Sequence, residues 1–164
     1  MNKKGFTLAE VVVSFSILSI VLASVIVFTI TYRDKVKEEE IRTQLIDFKN
    51  TVTKIVYDDI ISGKLEKIEI CEGQAQCVNF VESDGTEHLL KTEEVSTGTD
   101  KGLYIVYNGM RYLLPDSDLN RLANPMCWFN SDFDLKNYDN IYRLKISFEH
   151  VGLNEQYEIL IAID

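Results

Sequence analysis

Two prolines, eight glycines, three cysteines, two histidines and one tryptophan are all that this 164-residue chain holds of those residue types. Each shortage removes a class of protein. Three cysteines cannot staple a disulfide-built miniprotein. The two histidines, His88 and His150, stand far apart and offer neither a histidine–carboxylate metal spacing nor a nucleophile–base motif. No Gly-rich phosphate loop occurs. Positive charge is short as well: 17 Lys and Arg against 26 Asp and Glu leave a formal charge of −9, the wrong sign for a chain that holds nucleic acid by neutralising phosphates. No catalysis and no direct nucleic-acid binding are expected. The length suits one head domain of ordinary size, and eight Phe with eight Tyr give it enough aromatic bulk for a packed core.

The apolar residues are distributed unevenly. Residues 11–30 form a run of twenty without charge, Gly or Pro, softened only by Ser14, Ser16, Ser19, Ser24 and Thr29. A helix of roughly 20 residues rising about 1.5 Å each spans the hydrocarbon core of a bilayer. Lys3 and Lys4 ahead of the run mark the cytoplasmic flank and place the rest of the chain outside. Arg33, Lys35 and Lys37 on the far side, interleaved with Asp34 and Glu38, pull against that orientation. The run exceeds the apolar region of a secretory signal, and no small-x-small cleavage site follows it. Glu10 is the odd residue, a carboxylate at the edge of a membrane helix. Such a group costs a few kcal/mol if left unpaired at that depth, so it is either functional or a border residue that reaches back to the headgroups.

The residues around Glu10 favour the functional reading. Lys3-Lys4-Gly5-Phe6-Thr7-Leu8-Ala9-Glu10, followed by about twenty apolar residues, resembles the N-terminus of type IV prepilins and pseudopilins. The resemblance is close over residues 3 to 30 and extends to the rest of the chain only in general layout. It implies a leader of residues 1–5, cut between Gly5 and Phe6 by a prepilin peptidase that also N-methylates the new Phe6 amine. It implies that Glu10 pairs with that amine on a neighbouring subunit and so sets axial register, since two half-buried charges are costly apart and tolerable together. The implied partners are other pilins or pseudopilins, the prepilin peptidase, the inner-membrane assembly platform and membrane lipid. The implied place is a single-pass cell membrane protein with an extracytoplasmic C-terminal domain, carried into a filament. This sequence lacks the helix-breaking Pro that many pilins carry in the apolar half.

The domain plan follows: a leader at 1–5, a transmembrane and assembly helix at 6–32, its amphipathic continuation at 33–63, and a β-rich head at 64–164. No Gly or Pro falls between Phe6 and Ser62, so nothing in the backbone stops the helix at the membrane surface, and a helix of that span would be about 85 Å long. Ile41, Leu45, Phe48, Val52 and Ile55 recur in steps of four and three, the spacing of one buried helical face. Ile46, Val56, Ile60 and Ile61 are expected to widen it, and Gly63 to cap it.

Beyond Gly63 the period falls to two. Residues 65–71 and 78–81 read as strands, 87–91 as a shorter one, and 96–102 as loop. Asn108-Gly109 between residues 103–107 and 110–114 is a strong hairpin signal. A short helical turn is expected at 118–123. Tyr142, Leu144, Ile146 and Phe148 alternate with polar residues, as do Tyr157, Ile159, Ile161 and Ile163, and the two strands should pair antiparallel through residues 152–155. The expected fold is α+β and pilin-like, a long helix on an antiparallel sheet.

Cys71 and Cys77 enclose five residues and suit a disulfide in an extracytoplasmic domain. Cys127, beside Trp128, is either a buried thiol or the true partner of one of the others. Residues 130–140 are acidic, and some pseudopilins hold calcium in a loop at this point. Asp132, Asp134 and Asp139 would be its ligands, yet the spacing is not that of an EF-hand and Lys136 sits inside it. A solvated loop without cofactor is expected. Two functions remain: a minor pilin or pseudopilin of a type IV pilus, competence or type II secretion filament, or a permanently anchored extracytoplasmic binding or sensor domain that is never cut.

Overall fold

The computed structural model describes residues 7–62, 65–118, 125–130, 132–138 and 141–163. The chain divides into two compact units, Met1–Glu40 and Ile41–Asp164. Helix α1, Leu8–Ser62, contributes to both.

In the first unit α1 buries none of its large apolar side chains: Val11, Phe15, Leu18, Leu22, Ile26 and Phe28 are each more than half exposed. Its best 18-residue window has a mean hydropathy of 2.8 and none of it is buried within the protein. An apolar face of this extent with no protein to cover it belongs in lipid.

In the second unit the same helix is amphipathic. Leu45, Phe48, Val52, Val56 and Ile60 are buried, with Ile41 and Ile55 packed partly against them. Each such side chain contributes about 1.5–3 kcal/mol when fully removed from water. The buried stripe is narrower than the sequence suggests. Val56 and Ile60 join it, whereas Ile46 and Ile61 point outward at 44% and 61% exposure. At 100° per residue a position one step beyond a buried one turns off the core face.

Among the described residues, nine strands form two antiparallel sheets. The first runs in chain order β1 (Leu65–Ile70), β2 (Cys77–Glu82), β3 (Glu87–Val95), β4 (Gly102–Tyr107) and β5 (Met110–Leu113). In the second, β8 (Ile141–His150) is the spine. It pairs along one edge with β7 (Asp134–Tyr138) and β6 (Cys127–Phe129), and along the other with β9 (Glu155–Ile163). Ile68, Val78, Phe80, Leu90, Ile105 and Tyr107 enter the core from the first sheet, and Leu144, Ile146, Phe148, Ile159 and Ile161 from the second. This is the α+β, pilin-like arrangement of one long apolar-led helix and an antiparallel β region.

The β4–β5 hairpin turns on Asn108 (φ 48°) and Gly109 (φ 80°). Two successive positive φ angles are what a type I′ turn requires and what Asn-Gly supplies at little steric cost. The β8–β9 pairing closes at His150 opposite Glu155, with Asn154 in the left-handed region.

Three expectations need correction. The acidic segment 130–140 is not all loop, because Asp134–Tyr138 pairs with β8 from Asp134–Lys145 to Tyr138–Ile141. Strand β3 runs to Val95, past the expected end at Lys91, because Thr92, Glu93 and Glu94 are paired by Ile105, Tyr104 and Leu103. There are two sheets where the alternation implied one. Gly63 and most of the expected helical turn at 118–123 lie outside the described residues.

Candidate functional site

The sequence places its functional residues at the head of α1. Gly5 and Phe6 lie outside the described residues; Thr7 and Glu10 do not. Thr7 precedes the first helical residue, and its backbone N–H donates to Glu10 Oε2 at 2.8 Å while its hydroxyl donates to the same oxygen at 2.9 Å. In return the Glu10 N–H donates to Thr7 Oγ1 at 3.3 Å. This is a capping box, in which Thr at the N-cap and Glu three residues on satisfy each other's orphan donors. The Thr-x-x-Glu spacing is its sequence signal, and reading Glu10 only as a charge overlooks it. Its carboxylate thus has a local task, fixing where the helix begins, besides any task it performs between subunits.

Five other polar side chains of the helix are satisfied by its own backbone. The hydroxyls of Ser16, Ser19, Ser24, Thr29 and Thr31 each donate to the carbonyl four residues earlier, at 2.8 to 3.0 Å. A polar side chain in lipid is tolerated on that condition.

In the head, a sulfur–sulfur bond joins Cys71 to Cys77. The loop it closes is held to β3 and to the residue just before β7: Thr92 N–H donates to Gln76 O at 3.1 Å, and Phe133 N–H donates to Ala75 O at 2.9 Å. Cys127 is a buried free thiol, and burial above all pushes it up to about 12.

Both histidines are structural fasteners. His88 lies between Glu82 (Nε2–Oε1, 2.9 Å) and Asp59 of α1 (Nδ1–Oδ2, 3.2 Å). Asn108 Nδ2 stands 2.7 Å from its Nδ1, and its ring stacks on Tyr107 at 6.3 Å. His150 is buried, with Nε2 3.1 Å from Asp116 Oδ2 and Nδ1 accepting from the Leu153 N–H at 3.1 Å.

Of the calcium candidates, Asp134 opens β7 and pairs with Lys136 at 3.1 Å, Asp132 stands in the bend before it, and Asp139 lies outside the described residues. Among the described residues no group of three or more His, Cys, Asp or Glu side chains could hold a metal ion.

With this geometry in place, the comparison with known families is informative at one end of the chain. Residues 1–26 match the family described as the prokaryotic N-terminal methylation motif. No curated protein and no solved structure matches the chain. The match supports a type IV prepilin-like, class III signal peptide, and with it a type IV pilin-like protein. Such a protein is membrane-anchored with a C-terminal soluble domain, and the motif implies interaction with other pilins and with the processing peptidase.

Proposed function

We propose that this protein is a minor pilin or pseudopilin, a structural subunit of a type IV pilus, competence or type II secretion filament, and that it works by assembly rather than catalysis. The observation that carries the reading is the methylation motif leading into a capped helix whose next twenty residues are exposed and apolar. On this reading the leader is removed between Gly5 and Phe6, and the same peptidase methylates the Phe6 amine. The Glu10 carboxylate then lies five residues into the mature chain, where it can meet the Phe6 amine of a neighbour. Residues 11–30 hold the subunit in the membrane until the assembly platform moves it into the filament, and the acidic head faces outward.

The mature N-terminus decides the matter. Mass spectrometry of the protein from its native membrane should find a chain beginning at N-methylated Phe6. A chain still carrying residues 1–5, in cells with an active prepilin peptidase, would establish a permanently anchored extracytoplasmic domain instead.

A further inference from the structure

A cleft of about 360 Å³ opens in the head beside the disulfide loop. One wall comes from that loop and the first sheet, with Gln76, Thr92, Glu93 and Glu94; the other comes from β6, with Trp128 and Phe129. Among the described residues no Lys, Arg or His lines it.

Both walls are fixed before anything binds. Gln76 is held by the Thr92 N–H at its carbonyl and by the Thr92 hydroxyl at its side-chain Oε1, and Cys77, the next residue, is tied to Cys71. On the other side, Trp128 and Phe129 pair with Glu149 and Phe148 of β8, and the Phe129 ring meets the Phe148 ring edge-on at 6.3 Å. A wall held by backbone pairing and a covalent link loses little freedom when a ligand arrives.

The lining selects the ligand. The Glu94 carboxylate near aromatic residues, with amide and hydroxyl groups beside it, suits a cation that is partly stripped of water. The carboxylate supplies charge, and aromatic rings attract ammonium and guanidinium groups through their quadrupoles. The protein itself shows the pairing, because Arg111 Nη2 lies 2.7 Å from Glu93 Oε1. Glu94 is exposed and has no such partner among the described residues. It stands opposite Leu103 in the β3–β4 ladder, two residues from Thr92 and therefore on the same face of the sheet.

We propose that this cleft receives a Lys or Arg side chain from a segment of another protein, with Glu94 as the carboxylate that meets it and Trp128 and Phe129 as the aromatic wall. Charge complementarity argues for that occupant: the lining is acidic, and so is the chain as a whole at −9. The proposal concerns the head alone and stands whether or not the leader is cut.

Trp128 is the only tryptophan in the chain, so its emission reports directly on the cleft. The full chain in detergent micelles is titrated at constant ionic strength with acetyl-Gly-Arg-Gly-amide, acetyl-Gly-Lys-Gly-amide and the uncharged acetyl-Gly-citrulline-Gly-amide. A saturable change with the Arg and Lys peptides and none with citrulline is expected. Glu94→Gln should weaken that binding by up to about fivefold, while Glu66→Gln on β1 leaves it alone. Both residues are exposed, and a thermal melt confirms that each variant is folded. No saturable change, an equal response to citrulline, or an affinity unmoved by Glu94→Gln would each overturn the proposal. So would free putrescine binding more tightly than either peptide, which would make this a small-amine site.

Discussion

Arg42 on α1 grips Glu155 at the start of β9 with two bonds, donating from Nη2 to Oε1 at 2.6 Å and from Nε to Oε2 at 3.3 Å. The Tyr157 hydroxyl donates to the same carboxylate, and the Tyr157 ring stacks on Phe148 at 5.4 Å. Phe148 in turn meets the Phe48 ring of α1 edge-on at 5.7 Å. The helix is therefore fastened to the second sheet twice, by a charge pair at the surface and by rings beneath it.

The charge pair makes a pH-dependent contribution whose sign follows from the carboxyl group. The bonds from Arg42, then the one from Tyr157, hold Glu155 below the ordinary carboxylate value. A folded-state value lower than the unfolded one adds stability above the unfolded value, and that stability is lost as the pH falls through the folded one. Arg42→Met should lower the melting midpoint by about 2–4 °C at neutral pH. The gap between variant and parent should close as the pH is taken down toward about 2. Melts recorded by circular dichroism along a pH series test this, and a gap that is constant with pH would assign the loss to packing of the Arg42 stem.

The rings beneath should matter more. Phe148 is fully buried among Phe48, Phe129 and Tyr157. Truncating it leaves a cavity that β8, paired on both edges, cannot close by moving. Phe148→Ala should cost about 3–5 kcal/mol in denaturant unfolding, and Phe148→Leu distinctly less. A loss near 1 kcal/mol for the alanine variant would mean that the two sheets collapse onto the gap.

Where the sequence was readable, one physical signal dominated. The twenty-residue apolar run, the 45–48–52 stripe, the Asn108-Gly109 turn and the alternation in β8 and β9 all express a periodicity or a backbone need written in consecutive residues. Strand β7 had no such signal, since Asp-Leu-Lys-Asn-Tyr carries one partly buried apolar residue, Leu135, among polar neighbours. It is a strand because β8 offers it an edge. The same holds for the far end of β3, whose Thr92-Glu93-Glu94 is polar throughout and is kept extended by β4. Long-range pairing imposed on a polar segment is invisible to local pattern. The cleft at Trp128 was hidden for a related reason: its walls come from residues 76, 92–94 and 128–129, which only the two-sheet arrangement brings together.

The disulfide loop gives a chemical prediction. A loop this short, once cross-linked, stabilises the fold by about 2 kcal/mol through the unfolded state. The double variant Cys71→Ser with Cys77→Ser should lose about that much. Thiol counting on the folded, unreduced protein should find no reactive group, because Cys127 is buried and its thiol is pushed up to about 12. Unfolding without reductant should then reveal one thiol. Three thiols on unfolding would show that the bond does not form, and one reactive thiol in the folded state would show that Cys127 is open to solvent.

Glu10 caps the start of α1 and is proposed to pair between subunits, and two substitutions divide these tasks. In the capping box it acts as an acceptor for the Thr7 N–H and hydroxyl, which the neutral oxygen of Gln can also do. Between subunits, the proposed pairing with the Phe6 amine needs negative charge. Glu10→Gln should therefore leave the first turn of α1 intact, with slow amide exchange at residues 10–13, and leave the leader removed. The mature subunit should nonetheless stay in the membrane and be missing from sheared filaments. Glu10→Leu should lose the bonds to the Thr7 N–H and hydroxyl as well, so that the start of the helix frays and exchange there quickens. If Glu10→Gln enters filaments as efficiently as the parent while Glu10→Leu does not, the carboxylate serves the helix start alone and register is set elsewhere.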